Sequence, residues 1–325
     1  MDFVVKSEYS GKTVKDFIKA SFDISRKMLI LLKNKSDGIM VNGIRVTVRF
    51  VLSEGDILSL NYENADEILK ENSFVAENQS LLPLLNIIYE DDFILAVNKP
   101  PNMPSHPSIN HFDDTLANLV VTYFRNNNIS SFYRAVNRLD KNTSGIVLIA
   151  KDKIMSARLN GMMQNGYIRK TYIAVLNGNV NHIYLENLLK IAEIGGVFEY
   201  DPNEKTGRII APIRREHDSI IKRVCAIDGD YCETEFKILK SNDNISVAEV
   251  YPKTGRTHQI RLHFHAIGCP LLGEDLYCEN NNETCEIKRH ALHAYSLEFF
   301  HPENNKKMTI KCELPEDMLS IINKI

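Results

Sequence analysis

The stretch RAVNRLDKNTSGIVLIAK, residues 134–151, contains the side chains best suited to chemistry. Asp140 lies in a polar loop two residues after Arg138, and an apolar run from Ile146 to Ala150 follows it. Loops held by rigid strands are common places for catalytic side chains. An isolated loop Asp can instead accept hydrogen bonds from backbone N–H groups, as a turn or cap residue does. This stretch alone leaves both interpretations of Asp140 open.

A second stretch, IRKTYIAVLNG at residues 168–178, places an ammonium group and a phenol on one predicted strand. Its side chains alternate between two faces, as they do in a β-strand, so Lys170 and Tyr172 share one face. Tyr172 can pack in a protein core or stack on a ligand. The strand pattern does not decide between these two roles.

A third stretch, VYPKTGRTHQIRLHFHAIGCPLLGEDLY, contains a basic turn that ends at Arg256 and then a predicted helix. Thr257 is expected to cap this helix. Arg261 follows an apolar position by about 100° around the helix, which places it at the margin of the buried stripe. An Arg at that margin can bind a buried acid through two parallel hydrogen bonds. An Asp beside such a cation stays ionised at neutral pH, which would suit a carboxylate nucleophile.

The elements that position these side chains fall into three predicted segments. Residues 1–62 are predicted to form a small unit. TVKDFIKASF has helical spacing, Ser25 is expected to cap a second helix, and Asn42-Gly43 is expected to join two apolar runs as a hairpin turn. The unit has ten Lys and Arg against seven Asp and Glu, a net charge of +3 that a solvated surface would also explain. Residues 63–86 are predicted to be a linker.

Residues 87–325 are predicted to form a larger domain of the α+β class. Short β-rich runs occur there without regular strand–helix alternation, which favours a mixed, mainly antiparallel sheet. GIVLIA is apolar on both faces and is expected to be a central strand. YRAV, before Asp140, is predicted to be another strand, and a helix is predicted from Asp152 to about Gln164.

Composition restricts the class of protein. The chain has 325 residues, 44% of them hydrophobic, and a formal net charge of −3, so any nucleic-acid binding is expected to use local patches. The sequence MDFVVKSEYS does not have the pattern of a signal peptide, and no apolar run reaches the length of a membrane span. Six cysteines without close pairing indicate reduced thiols. We therefore expect a cytoplasmic protein that does not associate with membranes, and we expect a monomer.

The three stretches together resemble the RluA family of pseudouridine synthases. NRLDKNTSG is similar to that family's motif around its catalytic Asp, RKTYIAV to its Tyr motif, and TGRTHQIRLH, GCPLLGEDLY and RHALHAYSLEFFHP to its C-terminal motifs. IIYEDDFILAVNKPPNMPSHPS and TGRIIAPIRR also fit. Residues 1–62 resemble an S4-like RNA-binding domain through ISRKMLILLK, IMVNGIRV and EGDIL. The resemblance implies a pseudouridine synthase fold preceded by a small domain that combines helices with a β-hairpin.

The resemblance implies isomerisation of uridine to pseudouridine in structured RNA, without a metal or an organic cofactor. Asp140 would attack the base or the sugar, or assist loss of the C2′ proton. One carboxylate suffices because a nucleophile, unlike an acid/base pair, needs no second acid. Arg261 would keep it ionised, and Tyr172 would stack on the uracil and accept the C5 proton. Arg138 would fill the gap left by a flipped nucleotide.

Further residues are assigned to binding by their places in these motifs. The family usually has His where this chain has Asn137, which can form hydrogen bonds but carries no charge. Leu292 would form an apolar wall for the base. The expected substrate-binding residues are Arg138, Asn137, Leu139, Lys170, Arg256, His258 and Leu292. The expected RNA-binding residues of the S4-like unit are Ser25, Arg26, Lys27, Asn42, Gly43 and Arg45. The S4-like unit favours large-subunit ribosomal RNA as the partner, with transfer RNA as the alternative.

A metal site and a non-catalytic RNA-binding protein are the two other interpretations of the sequence. Histidine and cysteine side chains recur near the C-terminal motifs, but no C-x-x-C occurs and the spacings do not match a zinc pattern, so no metal site is expected. These residues are Cys278, Cys285, His290, His293, His258, His263 and His265. A non-catalytic S4-type RNA-binding protein is the alternative to an enzyme. Intact motifs around Asp140, Tyr172 and Arg261 favour the enzyme.

Overall fold

The computed structural model describes residues 2–21, 29, 32–33, 37–61, 75–108, 110–219, 221–278 and 287–325. The chain separates into two compact units, residues 1–75 and 76–325. The division falls within residues 63–86, the predicted linker. The predicted domain limits of 1–62 and 87–325 stay predictions.

The described part of the first unit contains a helix and a small antiparallel sheet whose strand order is β1-β4-β2-β3. The elements are β1 (Asp2–Val4), α1 (Val14–Ser21), β2 (Ile39–Val41), β3 (Ile44–Arg45) and β4 (Ile57–Leu60). Val14, Phe17 and Ile18 of α1 are buried against the apolar side chains of the sheet, so the predicted amphipathic helix is confirmed. The second predicted helix lies largely outside the described residues.

The predicted hairpin is also confirmed. Asn42 and Gly43 connect β2 to β3 with φ angles of 51° and 78°, the left-handed conformation that a two-residue type I′ turn requires. The Asn42 side chain donates a hydrogen bond to Asp56 and accepts one from the Ile57 N–H, both at 2.8 Å. Asn42 therefore stabilises the turn, whatever part it takes in RNA binding.

Arg45 is the one basic residue of the predicted S4-like set that the structure describes. It is exposed on β3, and its Nη2 donates to the Lys33 carbonyl oxygen at 3.3 Å. Ser25, Arg26 and Lys27 lie outside the described residues.

In the described part of residues 76–325, ten strands form one sheet in the order β5-β6-β7-β15-β8-β14-β13-β10-β9, with β16 beside β15. The β7/β15 pair is parallel and the other pairs are antiparallel. This confirms the mixed, mainly antiparallel α+β prediction. The strands of the sheet are β5 (Ile87–Glu90), β6 (Ile94–Lys99), β7 (Ser144–Ala150), β8 (Arg169–Asn177), β9 (Val197–Asp201), β10 (Thr206–Ile210), β13 (Glu233–Ser241), β14 (Ile245–Pro252), β15 (Leu292–Phe300) and β16 (Lys307–Lys311).

The same unit contains further strands and α-helices outside this sheet. They are the two-stranded pair β11 (Ile213–Arg215) and β12 (Arg223–Cys225), and the helices α2 (Leu116–Asn126), α3 (Lys153–Gln164), α4 (Leu185–Glu193), α5 (Gln259–Ala266) and α6 (Glu316–Ile322). None of the helices in the described ranges is long and apolar enough to cross a membrane.

Strand β7 is buried along its whole length, as the GIVLIA run predicts. Ile146 and Leu148 pack in one apolar cluster with α3, while Val147 and Ile149 pack in another with α2. Burial of such a side chain contributes about 1.5–3 kcal/mol to stability. The loop that precedes β7 is therefore attached to one of the most firmly packed strands of the unit.

Gly145 allows β7 and β15 to run side by side. It lies opposite Ala294 in the parallel pair and has a φ of 112°. A Cβ atom at this position would lie 2.3 Å from the Ala294 carbonyl oxygen. Only glycine fits this close approach, and the approach brings the Asp140 loop next to β15.

Two local predictions are wrong. YRAV is not a strand, because only Ala135 forms an isolated bridge, with Ile149. Thr257 does not cap α5. His258 takes the N-cap position with a left-handed backbone (φ 58°) and no side-chain cap.

Candidate active site

One cavity of about 660 Å³ opens at the ends of β7, β8 and β15 and at the start of α5. All the catalytic and substrate-binding residues predicted for the second unit line it, although they come from four separate stretches of sequence. They are Asn137, Arg138, Leu139, Asp140, Lys170, Tyr172, Arg256, His258, Arg261 and Leu292. The fold thus brings every one of these residues into a single site.

Asp140 combines access to the cavity with a cationic neighbour. Its side chain is 29% exposed, and its Oδ2 lies 3.8 Å from Nη1 of Arg261, which is only 5% exposed. At this distance a guanidinium attracts a carboxylate, and burial of Arg261 weakens the screening of that attraction by water. Asp140 can therefore present a carboxylate oxygen to a ligand beside a buried cation.

Arg261 is oriented mainly by a second carboxylate that the sequence did not reveal. Its Nε donates to Glu274 at 2.8 Å and its Nη2 donates to the other oxygen of the same carboxylate. Glu274 has a fully buried side chain and also accepts from the Leu276 N–H at 3.1 Å. Burial opposes the charged guanidinium, but the hydrogen bonds and charge of Glu274 outweigh it and raise the pKa of Arg261. Asp140 thus faces a guanidinium that is already held in place.

Tyr172 faces the cavity from β8 and packs on both Leu292 and Leu139 through two apolar clusters. Burial, and then the charge of Asp140, raise the pKa of Tyr172. The phenol is therefore neutral at neutral pH. This state suits stacking on a base, and the predicted transfer of the C5 proton to Tyr172 stays a prediction.

His258 has a partner on each side of its ring. Its Nδ1 lies 2.6 Å from the Tyr277 hydroxyl oxygen, and its Nε2 lies 3.8 Å from Oδ2 of Asp140. The guanidinium of Arg261 lies over the Tyr277 ring, 5.3 Å from its centroid. His258 and Tyr277 are therefore part of the surroundings of Asp140 and Arg261.

The other predicted binding residues differ in how freely they can meet a ligand. Arg138 is exposed at the rim. The Asn137 side chain instead binds the backbone of β7: its Nδ2 donates to the Ile146 carbonyl oxygen at 3.0 Å, and its Oδ1 accepts from the Leu148 N–H at 2.9 Å. The family's His position thus carries a structural side chain in this protein.

The remaining members of the set are held by the surrounding backbone or by surface charge. Lys170 Nζ donates to the Thr254 carbonyl oxygen at 3.3 Å, and burial lowers the pKa of Lys170. Arg256 pairs with Asp230 at 3.0 Å on the surface, where such pairs contribute about 0–1 kcal/mol. Arg256 can therefore exchange this partner for a phosphate at little cost.

Two buried cations bind the backbone that follows Asp140. Lys99 donates to the Lys141 carbonyl oxygen at 3.1 Å, and Arg289 donates to the Asn142 carbonyl oxygen at 3.0 Å. Burial lowers the pKa of Lys99 to about 7, although the charge of Asp140 opposes the change. Sequence reasoning missed both cations because they lie outside the loop motif.

Two buried histidines bind the next two side chains of the loop. His290 Nε2 lies 2.8 Å from Thr143 Oγ1, and His293 Nδ1 lies 2.9 Å from Ser144 Oγ. Burial lowers the pKa of His290 to about 2 and that of His293 to about 4, so both are neutral hydrogen-bonding groups. The four residues after Asp140 are thus each fixed by a buried side chain.

The described residues contain no group of three or more His, Cys, Asp or Glu side chains arranged to hold a metal ion. Cys278 Sγ lies 3.8 Å from His265 Nδ1, and Cys285 lies outside the described residues.

Comparison with known proteins gives a consistent family. A family model described as RNA pseudouridylate synthase matches residues 93–266. The chain is 33% identical over 311 residues to the uncharacterized RNA pseudouridine synthase YjbO of Bacillus subtilis (strain 168), covering 95% of this chain and 98% of that protein. It is 34% identical over 255 residues to the ribosomal large subunit pseudouridine synthase D of Buchnera aphidicola subsp. Schizaphis graminum, covering 73% and 72%.

The solved structure of human RNA Pseudouridylate Synthase Domain Containing 1 covers 71% of this chain and 84% of its own, with a TM-score of 0.54 and 22% identity. This similarity shows a pseudouridine synthase fold. The chain belongs to the RNA pseudouridylate synthase family, of the RluA type, and is therefore an RNA-modifying isomerase.

Proposed function

We propose that this enzyme isomerises particular uridines of large-subunit ribosomal RNA, with transfer RNA as the alternative substrate. The nucleotide is flipped out of its stack, and the Asp140 carboxylate acts on it. The name of the Buchnera relative supports ribosomal RNA, and so does the resemblance of residues 1–62 to an S4-like domain.

The observation that carries this proposal is the position of Asp140. Its carboxylate lies at the cavity surface beside the buried Arg261, while Tyr172 and Leu292 offer apolar surface in the same cavity. A stacked base hides its reacting atoms, and flipping exposes them at a cost of a few kcal/mol. The exposed Arg138 at the rim can occupy the space that the base leaves.

Isomerisation requires three changes in the nucleotide. The N1–C1′ bond breaks, C5 bonds to C1′, and C5 loses its hydrogen as a proton while N1 gains one. Attack by Asp140 on the base or on the sugar, and its assistance in loss of the C2′ proton, all require an ionised carboxylate. Arg261, 3.8 Å from Oδ2, attracts the carboxylate and supports its orientation in each case.

The Asp140→Asn variant tests the nucleophile. We expect a folded protein that binds RNA but releases no tritium from RNA labelled at C5 of uridine. Asp152→Asn is the matched control, because Asp152 caps α3 by accepting from the Met155 N–H at 2.8 Å and Asn caps helices equally well. Tritium release by Asp140→Asn at the rate of the Asp152→Asn control would refute the proposal.

The RNA target requires a separate experiment. Carbodiimide primer extension on total RNA from a strain that lacks the gene should show loss of specific pseudouridines in large-subunit ribosomal RNA. Loss confined to transfer RNA would support the alternative substrate.

We further propose that residues 1–62 bind RNA, that the protein acts as a monomer and that it works in the cytoplasm. The net positive charge of residues 1–62 supports the first point. The free thiols in the described residues support a reducing compartment; they are Cys225, Cys232, Cys269, Cys278 and Cys312.

A further inference from the structure

His258 occupies a backbone conformation that its side chain type does not favour. Its φ of 58° and ψ of 16° are left-handed, which costs about 1–2 kcal/mol for a residue with a Cβ atom. Strain of this kind persists only where the surroundings fix it, and it is frequent at functional sites. The contacts of the imidazole ring show what fixes it here.

The two partners of the His258 ring indicate which ring nitrogen carries hydrogen. The Arg223 backbone N–H donates to the Tyr277 oxygen at 3.1 Å, and a backbone N–H can only donate. The hydroxyl hydrogen is then available to His258 Nδ1 at 2.6 Å, which accepts it. Nε2 faces the Asp140 carboxylate, which can only accept a hydrogen bond, so the arrangement favours a neutral His258 with its hydrogen on Nε2 and with Nδ1 accepting from Tyr277.

Both groups that approach Asp140 from α5 and its N-cap approach the same oxygen. His258 Nε2 and Arg261 Nη1 each lie 3.8 Å from Oδ2. Catalytic hydrogen bonds are often long without substrate and shorten in the substrate complex. When both groups close on Oδ2 in the substrate complex, Oδ1 is left as the oxygen that can react.

We propose that His258 is a positioning residue for Asp140: Tyr277 fixes its tautomer, and its Nε2–H joins Arg261 in holding Oδ2, so that Oδ1 is the reacting oxygen. This inference rests on the proposed role of Asp140 as nucleophile. It replaces the sequence-based prediction of direct substrate contact by His258 with a role that acts through the carboxylate.

The surroundings keep His258 neutral in this role. Burial lowers the pKa of His258, and Arg261 and Arg223 lower it further, against the opposing charges of Asp140 and Glu274. The titratable and charged groups that face it come from the Asp140 loop, β12, α5, the segment after α5 and the segment before β15. They are Asp140, Arg223, Arg261, Glu274, Tyr277 and His290.

Two substitutions of His258 separate positioning from a structural role. The Gln amide in His258→Gln reaches the place of Nε2, whereas the Asn amide in His258→Asn reaches only that of Nδ1. We expect His258→Asn to lower kcat about 10–100-fold, less than the 10²–10³-fold loss of a direct oxyanion donor. We expect His258→Gln to recover most of this loss, with KM for RNA unchanged in both variants.

A purely structural His258 predicts the opposite order, because Asn tolerates the left-handed backbone better than Gln and can still meet Tyr277. Direct contact with RNA predicts a rise in KM instead. Tritium release at saturating RNA, KM and melting temperature are measured for each variant. Equal kcat for the two variants, a higher kcat for His258→Asn, or an effect confined to KM would overturn the inference.

Tyr277→Phe completes the test, because it removes the hydroxyl and keeps the ring under Arg261. We expect it to lower kcat in the wild-type background and to have no further effect in the His258→Asn background, since the hydroxyl acts through His258. Additive losses would overturn the inference. Failure of the proposed function is read separately, from activity retained in Asp140→Asn.

Discussion

The buried Arg261–Glu274 pair allows stability and catalysis to be separated by mutation. Arg261→Leu removes the cation and leaves the Glu274 carboxylate fully buried without its charged partner. Removal of one member of a buried pair costs about 3–5 kcal/mol. For a unit of this size a loss of 1 kcal/mol lowers Tm by about 2–4 °C, so we expect Arg261→Leu to melt roughly 6–20 °C below wild type. Its turnover should be severely reduced.

The double variant Arg261→Leu/Glu274→Leu should regain stability without regaining activity. Replacement of a whole buried pair by apolar side chains is often neutral, or stabilises by about 1–4 kcal/mol, because neither charge then has to be desolvated. Asp140 still lacks the guanidinium 3.8 Å from its Oδ2, so pseudouridine formation should remain low. Thermal unfolding and tritium release are measured on the same preparations.

An exposed ion pair provides the matched control. Arg158 Nη1 lies 3.0 Å from Glu303 Oε2, and the two side chains are 48% and 47% exposed. Arg158→Leu should therefore change the free energy of unfolding by less than about 1 kcal/mol. A double variant with near wild-type turnover would refute the role of Arg261 at Asp140. An Arg261→Leu single variant as stable as Arg158→Leu would refute the energetic argument.

Two further predictions concern the buried lysine and the first unit. Lys99 has a pKa of about 7 in the folded protein and about 10.4 in the unfolded chain, so the unfolded chain binds more protons between these pH values and the free energy of unfolding should rise from pH 7 to pH 10. In denaturant titrations across this pH range, Lys99→Met should lack the rise. A rise in Lys99→Met equal to that of the wild type would exclude Lys99 as its source. Removal of residues 1–62 should weaken RNA binding and reduce its salt dependence while residues 76–325 stay folded, and unchanged affinity and salt slope would exclude RNA binding by these residues.

The sequence predicted an element correctly where neighbouring residues in the chain determine that element's conformation. The Asn42-Gly43 turn follows from the need for two left-handed residues, and the burial of β7 follows from an apolar run without polar interruption. Thr257 failed as a cap because the adjacent His258 is held in that position by Tyr277, which is 19 residues away. Contacts at such a separation leave no periodic signal.

The candidate site divides in the same way. Asp140 and Arg261 were recognisable from motifs and from helix geometry, and they do lie close together. Glu274 was not recognisable, because its side chain meets Arg261 through an irregular segment after α5, where neither strand nor helix spacing applies. Whether two such side chains meet depends on the path of the chain through the irregular segment, which residue types alone do not predict.

The contacts of His290 and His293 also bear on when the site forms during synthesis. These two residues bind side chains that lie 147 and 149 positions earlier in the chain. A ribosome adds about 5–20 residues per second, so the Asp140 loop is made roughly 7–30 s before its partners exist. Until β15 emerges and pairs with β7, the nascent chain has Asp140 but lacks the two histidines that bind the Asp140 loop. The loop can therefore reach its final, fixed conformation only after β15 has been synthesised.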